Sequence, residues 1–278
     1  MTQWMQPGNA AVITGGASGI GLAAARRFLD AGMRVLIADL SEENLNEAAE
    51  ALSGKGELHT RTCDVADFEQ VSALQQAATD VLGAVHCLMN NAGAAFPPSK
   101  PWENLETWKK QVEVNLWGII HGCQAFVPVM LASGVQGAVI NTGSKQGITN
   151  PPGGYAYNLS KAGVKAYTES LAHALRQEDG CNLSAHLLVP GFTYTGMTAR
   201  FMPEKPPGAW TSEQVVDFLL ESLDRGDFYV LCPDNDTPRA LDEKRIQWNT
   251  DDILQNRSAL SRWDPEHQAA YEAFIAES

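Results

Sequence analysis

The sequence predicts an α/β fold in which helices cover a parallel sheet, and three observations support this prediction. From Ala10 onward, short β-branched or apolar runs alternate with segments of helical period, which is typical of βαβ units. The connections between these segments are short enough for right-handed crossovers. No internal repeat of fixed period interrupts the alternation. We therefore expect one layered unit rather than a repeat array.

The first half of the chain supplies four strands and three helices in strict alternation. The predicted strands are AAVIT, MRVLIAD, ELHTRTCD and HCLMNNAG, and the predicted helices are IGLAAARRFLDAG, SEENLNEAAEALSG and DFEQVSALQQAATDVLG. Gly32 is expected just beyond the end of the first helix, where glycine readily adopts a left-handed conformation. Ser41 is expected to cap the second helix, followed by acidic residues that its dipole favours.

The second half continues with a long helix from about Asn104 to Ser133, and then with two further strands and a helix. These are strand GAVINTGS, helix GYAYNLSKAGVKAYTESLAHALRQ and strand NLSAHLLVPG. Beyond Pro190 the alternation loosens, and residues 196–212 are predicted to form a mobile surface segment. Helix SEQVVDFLLESLDRG and strand DFYVLCP then restore the pattern.

No linker divides the chain, so residues 1–233 are predicted to form one domain. Residues 234–278 form an extension with 10 acidic and 5 basic side chains. Its aromatic residues indicate that it packs on the same domain rather than staying disordered.

Charge and composition exclude several classes of partner. The 278 residues include 33 acidic and 20 basic side chains, a formal charge of −13, which repels nucleic acid and anionic membranes. Five cysteines without a CxxC pair argue against a disulfide framework or a thiolate zinc site. The six histidines share no metal-ligand spacing, so we predict no metal. No signal peptide or run of 18 apolar residues is apparent, so we expect a cytoplasmic protein with a small-molecule partner.

A glycine-rich run, from Thr14 to Gly21, lies between the first strand and its helix. In this context glycines let backbone N–H groups and the helix N-terminus approach a pyrophosphate. Asp39 ends the second strand, about twenty residues on, where a carboxylate can bind both ribose hydroxyls and repel a 2′-phosphate. The spacing therefore predicts NAD rather than NADP. The alternative, that Asp39 caps the second helix, is weaker because Ser41 is already expected to cap it.

Tyr157 and Lys161 stand at i and i+4 on a predicted helix, so both project from one face. A phenol is a poor base at neutral pH until a nearby ammonium stabilises the phenolate, so the pair is suited to general acid/base catalysis. Ser144 follows a strand at the sheet edge where ligands bind, and it is expected to hydrogen-bond a substrate oxygen. Lys145, next to it, is expected to be solvated.

Across about residues 9–233 these motifs resemble the short-chain dehydrogenase/reductase family. The residues that carry the likeness are Thr14-Gly-x-x-x-Gly19-Ile20-Gly21, Asn90-Asn91-Ala92-Gly93, Asn115, Ser144, Tyr157-x-x-x-Lys161 and Pro190-Gly191. The resemblance implies a Rossmann-like three-layer sandwich with a seven-stranded parallel sheet and a nicotinamide cofactor. It also implies an active site of Ser144, Tyr157, Lys161 and Asn115, the last holding a water that links Lys161 to solvent.

The resemblance also assigns binding residues. The expected cofactor contacts are Gly15, Ser18, Gly19, Ile20, Gly21, Asp39, Leu40, Asp64, Val65, Asn91, Ala92, Gly93, Tyr157, Lys161, Pro190, Gly191, Thr193 and Thr195. The expected substrate contacts are Ser144, Gln146, Pro152, Tyr155, Phe192 and Trp210, joined by Phe201 and Met202 of the 196–212 segment. This set is mostly apolar and aromatic, which favours a neutral hydrophobic or aromatic substrate.

The sequence therefore predicts reversible hydride transfer between NAD and a secondary alcohol or ketone. Two alternatives remain open: a non-catalytic NAD(H)-binding sensor or scaffold, and an NAD-using epimerase or lyase on the same fold. The resemblance implies a homodimer or homotetramer formed through the long helices. The extension could cap the active site or block one of the oligomer axes.

Overall fold

The computed structural model describes residues 3–199 and 202–276. Within them, parallel strands form one sheet in the order β3-β2-β1-β4-β5-β6-β7, as in a Rossmann-like fold. The strands are β1 (Ala10–Thr14), β2 (Arg34–Asp39), β3 (Leu58–Thr62), β4 (Cys87–Asn90), β5 (Gly137–Thr142), β6 (Leu183–Val189) and β7 (Tyr229–Leu231). The predicted fold class and strand count are confirmed.

Helices pack on both faces of the sheet. They are α1 (Gly19–Asp30), α2 (Glu42–Ala51), α3 (Phe68–Leu82), α4 (Leu105–Val112), α5 (Gly118–Ser133), α6 (Gln146–Thr149), α7 (Tyr155–Gln177), α8 (Gly196–Ala199), α9 (Ser212–Asp224), α10 (Arg239–Leu254) and α11 (Gln268–Ala276). One hydrophobic core lies between the sheet and α1, α2 and α9, and the other between the sheet and α3, α5 and α7. From β1 the chain adds β2 and β3 on one side, and from β4 it adds β5, β6 and β7 on the other, so the direction of strand addition reverses between β1 and β4. This reversal places a crevice at the carboxyl ends of β1 and β4.

Local sequence accounts for the boundaries of α1 and α2. Gly32 follows α1 with a φ of +80°, in the left-handed region that favours glycine. The Ser41 side chain accepts a hydrogen bond from Asn44 N at 3.1 Å and so caps α2. Both predictions are confirmed.

The predicted long helix is also confirmed, since α4, a π-helical turn (Glu113–Trp117) and α5 form one helix from Leu105 to Ser133. Among the described residues, only this helix is long and apolar enough to span a membrane. The helix contains polar residues such as His121 and Gln124, so it is not an unbroken run of 18 apolar residues. Length and composition alone are weak support for a span, because core helices pass the same test. Here α5 packs against α3 and β4.

The C-terminal extension has a small aromatic cluster of its own. The Trp248 ring lies 5.3 Å from the ring of Tyr271 and 5.4 Å from that of Phe274. The Arg257 guanidinium lies 3.9 Å from the centroid of Trp248, whose Nε1 donates to Ser261 Oγ at 2.8 Å. Helix α10 contacts α6, which directly follows the predicted catalytic serine. The extension therefore packs close to the carboxyl edge of the sheet.

Candidate active site

The glycine loop between β1 and α1 is folded too tightly for larger residues. A Cβ on Gly15, whose φ is +62°, would lie 2.7 Å from Ala92 Cα, and one on Gly21 would lie 2.2 Å from Gly15 O. Ser18 occupies the N-cap of α1 without a side-chain hydrogen bond to the helix. The first-turn N–H groups of α1 are therefore open to an anion such as a pyrophosphate.

Asp39, at the end of β2, lies directly beside this loop. Its carboxylate accepts hydrogen bonds from Ala17 N at 3.3 Å and from Ser41 N at 3.4 Å. The next residue, Leu40, is 67% exposed and so is accessible to a ligand bound at this loop. The loop, the carboxylate and the exposed leucine together fit the phosphates, ribose and base of a dinucleotide.

Asn91 holds the neighbouring strands together rather than leaving its side chain free for a ligand. Its Nδ2 donates to Thr14 O at 3.3 Å and to Gly15 O at 3.1 Å, and its Oδ1 accepts from Thr142 Oγ1 at 3.3 Å. These bonds join the ends of β1, β4 and β5. Asn91 therefore fixes the shape of the glycine loop, and Ala92 closes against Gly15.

The pair expected near adenine, Asp64 and Val65, lies in the turn before α3. Asp64 Oδ1 accepts from Ala66 N at 2.9 Å. Val65 O is hydrogen-bonded to His121 Nδ1 at 2.9 Å, and a Cβ on Gly118 would lie 2.7 Å from Val65 Cγ2. Helix α5 thus fixes the position of this turn.

The predicted nicotinamide residues, Pro190 to Thr195, follow β6. Thr193 pairs with Trp210 in an isolated bridge, and Trp210 N donates to Phe192 O at 2.8 Å. A Cβ on Gly19 would lie 3.3 Å from Thr195 Cβ, so this loop reaches the glycine loop. The two loops that the family resemblance assigns to one cofactor are therefore adjacent.

Tyr157, Lys161 and Ser144 meet at the carboxyl end of β5. Lys161 is 4% exposed, its Nζ donates to Thr142 O at 2.7 Å, and it lies 5.8 Å from the centroid of the Tyr157 ring. Burial lowers the pKa of Lys161 to about 8. Burial also raises the pKa of Tyr157 above its ordinary value, against a hydrogen bond with Ser144 that lowers it. A phenolate at this position therefore needs positive charge nearby.

Asn115 occupies the π-helical turn, a feature often found at functional sites. Its Oδ1 accepts from Ala94 N at 2.8 Å, and its Nδ2 donates to Ala94 O at 3.0 Å. A Cβ on Gly93 would lie 3.5 Å from Asn115 Oδ1 and 3.8 Å from Lys161 Nζ, so the two side chains meet across this glycine. The amide of Asn115 binds the loop after β4, whereas the resemblance implies that Asn115 holds a water.

A small cavity beside Tyr157 includes residues that the sequence reasoning missed. It is lined by Phe96, Pro97, Pro98, Ser99, Thr107, Gln111, Gly153, Gly154, Tyr155, Ala156 and Tyr157. The missed wall, Phe96–Pro98, follows β4 at the same sheet edge as Ser144, and that position was the available signal. Gln111 fixes this loop, because its Nε2 donates to Ala94 O and its Oε1 accepts from Phe96 N.

The expected substrate residues are placed differently from one another. Tyr155 lines the cavity beside Tyr157, and Gln146 N donates to Ser144 Oγ at 3.2 Å. Pro152 is exposed, and Phe192 is half-buried. The Trp210 ring packs 5.8 Å from that of Phe218 of α9, in the core on the α1–α9 face, which is a packing contact. Phe201 lies outside the described residues.

Lys145 is not solvated, contrary to the expectation from sequence. Its side chain is 16% exposed, and its Nζ lies 2.6 Å from Asp242 Oδ2 and 3.3 Å from Asp234 Oδ2. Both carboxylates are 6% exposed, and both belong to the C-terminal extension. The sequence reasoning missed this cluster because its partners lie far apart along the chain.

In residues 3–199 and 202–276, no group of three or more His, Cys, Asp or Glu side chains is placed to hold a metal ion. All five cysteines are free thiols. Four are buried, while Cys181 is only partly so. The groups of the site that can take part in chemistry or binding are the side chains of Ser144, Tyr157 and Lys161 and the open backbone N–H groups in the first turn of α1.

The chain is similar to known proteins over most of its length. A family model described as short chain dehydrogenase matches residues 9–206. The 1-deoxy-11-beta-hydroxypentalenate dehydrogenase of Streptomyces exfoliatus is 35% identical over 245 residues, 86% of this chain and 88% of that one.

The chain is also similar to solved structures of dehydrogenases and reductases. A short chain dehydrogenase/reductase from Burkholderia phymatum in complex with NAD matches 93% of this chain and 98% of its own, with a TM-score of 0.83 and 29% identity. An actinorhodin polyketide ketoreductase variant with NADPH matches 80% of this chain and 91% of its own, with a TM-score of 0.70 and 25% identity. The first match leaves 7% of the 278 residues, about 20, uncovered, so it reaches into the 45-residue extension.

Proposed function

The chain belongs to the short-chain dehydrogenase family, and from that premise we propose that it is an NAD(H)-dependent enzyme interconverting a secondary alcohol and a ketone. Its relatives are named as dehydrogenases and reductases, and two similar solved structures hold NAD or NADPH, which supports an oxidoreductase role. The observation that carries the proposal for this chain is the burial of Lys161 beside Tyr157, with Ser144 hydrogen-bonded to the same phenol.

The three side chains divide the acid/base chemistry among them. When bound, the nicotinamide ring takes up or supplies the hydride. In oxidation, Tyr157 Oη accepts the hydroxyl proton of the substrate, and in reduction it donates a proton to the oxygen that was the carbonyl. The Lys161 ammonium stabilises the phenolate and so lowers the barrier to its formation. The Ser144 hydroxyl hydrogen-bonds the same substrate oxygen and holds it near Tyr157.

Asp39 supports NAD as the cofactor. A carboxylate beside the glycine loop would accept hydrogen bonds from ribose hydroxyls, whereas a 2′-phosphate would place negative charge against it. No basic residue stands in the run from Thr14 to Gly21, and none directly follows Asp39. The Burkholderia phymatum structure binds NAD and the actinorhodin ketoreductase structure binds NADPH, so the choice depends on this chain's own residues.

The residues around Tyr157 support a neutral, apolar substrate. Phe96, Pro97, Pro98 and Tyr155 line the cavity, and Gln111 and Thr107 are its polar side chains from α4. Lys145, which follows Ser144, is paired with two carboxylates and so is not available to an anionic group. A hydrophobic or aromatic alcohol fits such a lining better than a carboxylate does.

The exposed surface and the cysteines bear on the oligomeric state and on the cellular location. Trp102, Leu105, Trp117, Val129 and Leu159 are exposed on or beside the long helices α4, α5 and α7. Exposed apolar side chains on these surfaces favour a homodimer or homotetramer. The five free thiols fit a reducing compartment such as the cytoplasm.

Initial rates with NAD and with NADP, on a panel of secondary alcohols that includes bulky aromatic members, test this function. We expect NADH formation at 340 nm with aromatic or hydrophobic members. Tyr157→Phe should lower kcat by about a thousandfold, with NADH affinity within about twofold. The matched control is Tyr229→Phe, which removes a half-exposed phenol from β7.

Three outcomes would contradict the proposal in different ways. Faster turnover with NADP would remove the assignment of the cofactor. NADH binding without turnover of any alcohol or ketone would favour a sensor or scaffold. Conversion of a substrate without net NADH formation would favour an epimerase or lyase.

A further inference from the structure

The charge cluster of Lys145, Asp234 and Asp242, whose two carboxylates are buried, lies next to the candidate active site. Lys145 is joined by one peptide bond to Ser144, and Asp234 follows the last strand, β7. Asp242 belongs to α10 of the extension. None of the three side chains has a role in the proposed chemistry, yet burying three charges is costly unless each is paired.

The cluster connects three loops at the carboxyl edge of the sheet. The loop after β5 contributes Lys145, whose backbone N donates to Pro190 O at 3.4 Å in the loop after β6. The segment after β7 contributes Asp234, whose Oδ2 accepts from Phe192 N at 3.1 Å while lying 3.3 Å from Lys145 Nζ. The loop with Ser144 and the loop from Pro190 to Thr195 are thus tied to the same carboxylate.

Gly191 shows how closely the second loop lies on the cluster. A Cβ on Gly191 would lie 2.8 Å from Asp234 Oδ2 and 2.9 Å from Lys145 Nζ. The backbone of Gly191 is therefore in contact with the ion pair, with no room for any other side chain. Because this contact is tight, we expect a change in the cluster to displace this backbone or the loop with Ser144.

The ion pairs require both carboxylates to be charged, and the pKa values of the two are shifted in opposite directions. Burial acts to raise the pKa of Asp234, but the hydrogen bond from Phe192 N and the Lys145 ammonium hold it below its usual value. Burial raises the pKa of Asp242 above its usual value, against the opposing effect of Lys145. Asp234 joins Lys145 to the backbone of Phe192, and Asp242 joins it to α10.

We propose that Lys145 is a positioning residue that, clamped by Asp234 and by Asp242 of the extension, sets the distance between Ser144 and the loop Pro190–Thr195. This inference rests on the proposed function, since that loop is the predicted nicotinamide shelf and Ser144 the predicted carbonyl ligand. The cluster thereby gives the C-terminal extension a part in catalysis without touching the substrate. Reacting groups misplaced by about 1 Å can lose about a hundredfold in rate.

The test compares Lys145→Met and Asp242→Asn in the full chain with a matched control, Arg239→Gln. Arg239 lies in α10 three residues before Asp242 and pairs with Glu243 at 2.8 Å on the exposed face. Kinetics with NAD and the alcohol that the unaltered protein oxidises best give kcat and KM. NADH dissociation constants come from fluorescence, and the folded fraction at the assay temperature comes from circular dichroism.

We expect Lys145→Met to lower kcat by about tenfold or more, with KM and the NADH dissociation constant within about threefold. Asp242→Asn keeps the shape of the side chain and should show a smaller loss of kcat, so it carries the test if Lys145→Met does not fold. Arg239→Gln should stay within about twofold of the unaltered protein. The apparent pKa of the kcat profile should not move, because Lys145 exchanges no proton with the substrate.

The outcomes separate this inference from the proposed function. An unaltered protein that turns over nothing overturns the proposed function and the positioning role together. Turnover that survives within twofold in folded Lys145→Met and Asp242→Asn overturns the positioning role alone. A loss of kcat that only follows the folded fraction, or a shifted pH profile, overturns it as well.

Discussion

Two lysines lie at the carboxyl end of β5, Lys161 buried and Lys145 16% exposed at its side chain, and their surroundings differ. Lys145 faces two carboxylates, Asp234 and Asp242, at 3.3 Å and 2.6 Å. Lys161 donates to a backbone carbonyl, Thr142 O, and within residues 3–199 and 202–276 no carboxylate forms an ion pair with it. Burial lowers the pKa of Lys161 to about 8.

The difference separates a structural charge from a reactive one. A lysine compensated by two carboxylates holds loops together, and its charge is already neutralised locally. The charge of a buried lysine without a carboxylate acts on the neighbouring Tyr157, but burying that charge lowers the folding stability. The same substitution at the two positions should therefore have opposite effects on stability and different effects on rate.

The largest expected effect is on catalysis at Lys161. Lys161→Met should lower kcat/KM for alcohol oxidation by about a hundredfold to ten-thousandfold. It should also move the apparent pKa of the oxidation profile upward, because removing a nearby ammonium disfavours the phenolate. The measurement is kcat/KM from pH 6 to 10.5, with Lys165→Met as control. Lys165 lies on the same helix but pairs with Glu169 near the surface.

An unchanged profile in Lys161→Met would mean that Tyr157 does not depend on this ammonium. The profile belongs to the Tyr157–Lys161 pair as a coupled system rather than to either residue alone. For that reason, the difference between the variant and the Lys165→Met control is the quantity to compare.

The next effect is on stability at Lys145. Lys145→Met should lower the free energy of unfolding by about 3–5 kcal/mol, because it leaves two buried carboxylates without a cation. Urea unfolding at pH 7, followed by circular dichroism, measures it. A loss below about 1 kcal/mol, as is usual for exposed pairs, would contradict the burial of this cluster.

At Lys161 the same substitution should act in the opposite direction. Between a folded pKa of about 8 and the ordinary 10.5, the unfolded chain binds more protons than the folded one. Burial of the ammonium therefore destabilises the unaltered protein fully below pH 8, by up to about 3 kcal/mol. Loss of the donor to Thr142 O offsets part of this, so Lys161→Met should gain about 1–2 kcal/mol at pH 7.

This gain has a pH signature that a simple packing effect lacks. The destabilisation that Lys161 causes in the unaltered protein decreases as pH increases from about 8 to 10.5. Above that window the lysine is neutral in both the folded and the unfolded state. The advantage of Lys161→Met should accordingly shrink across that window in urea unfolding. A difference that stays constant from pH 7 to 10.5 would contradict the uncompensated charge.

The two lysines also show what a sequence can reveal. Tyr157 and Lys161 lie four residues apart in one helix, so local periodicity alone predicts that they meet. Lys145 and Asp234 are separated by 89 residues and meet only after β5, β6 and β7 align. No spacing rule encodes such a pair, so solvation was the reasonable but wrong expectation for Lys145.

The same reasoning explains the rest of the fold and site. The alternation of strands and helices and the glycine loop follow from periodicity and turn chemistry, which are local, whereas the seven-stranded sheet was implied by the family resemblance. The cavity wall from Phe96 to Pro98 and the core position of Trp210 depend on how loops pack across the sheet edge, which local pattern does not determine.

The smallest expected effect is at the exposed pair of Arg239 and Glu243, which tests whether burial, and not ion pairing as such, makes the Lys145 cluster matter. Their atoms lie 2.8 Å apart, about as close as Lys145 and Asp242, but both side chains are at least half exposed. Water already solvates these charges, so Arg239→Gln should change the free energy of unfolding by less than about 0.5 kcal/mol. Urea unfolding in parallel with Lys145→Met measures both. A loss at Arg239 as large as that at Lys145 would show that α10 depends on its ion pairs wherever they lie, and burial would no longer distinguish the two.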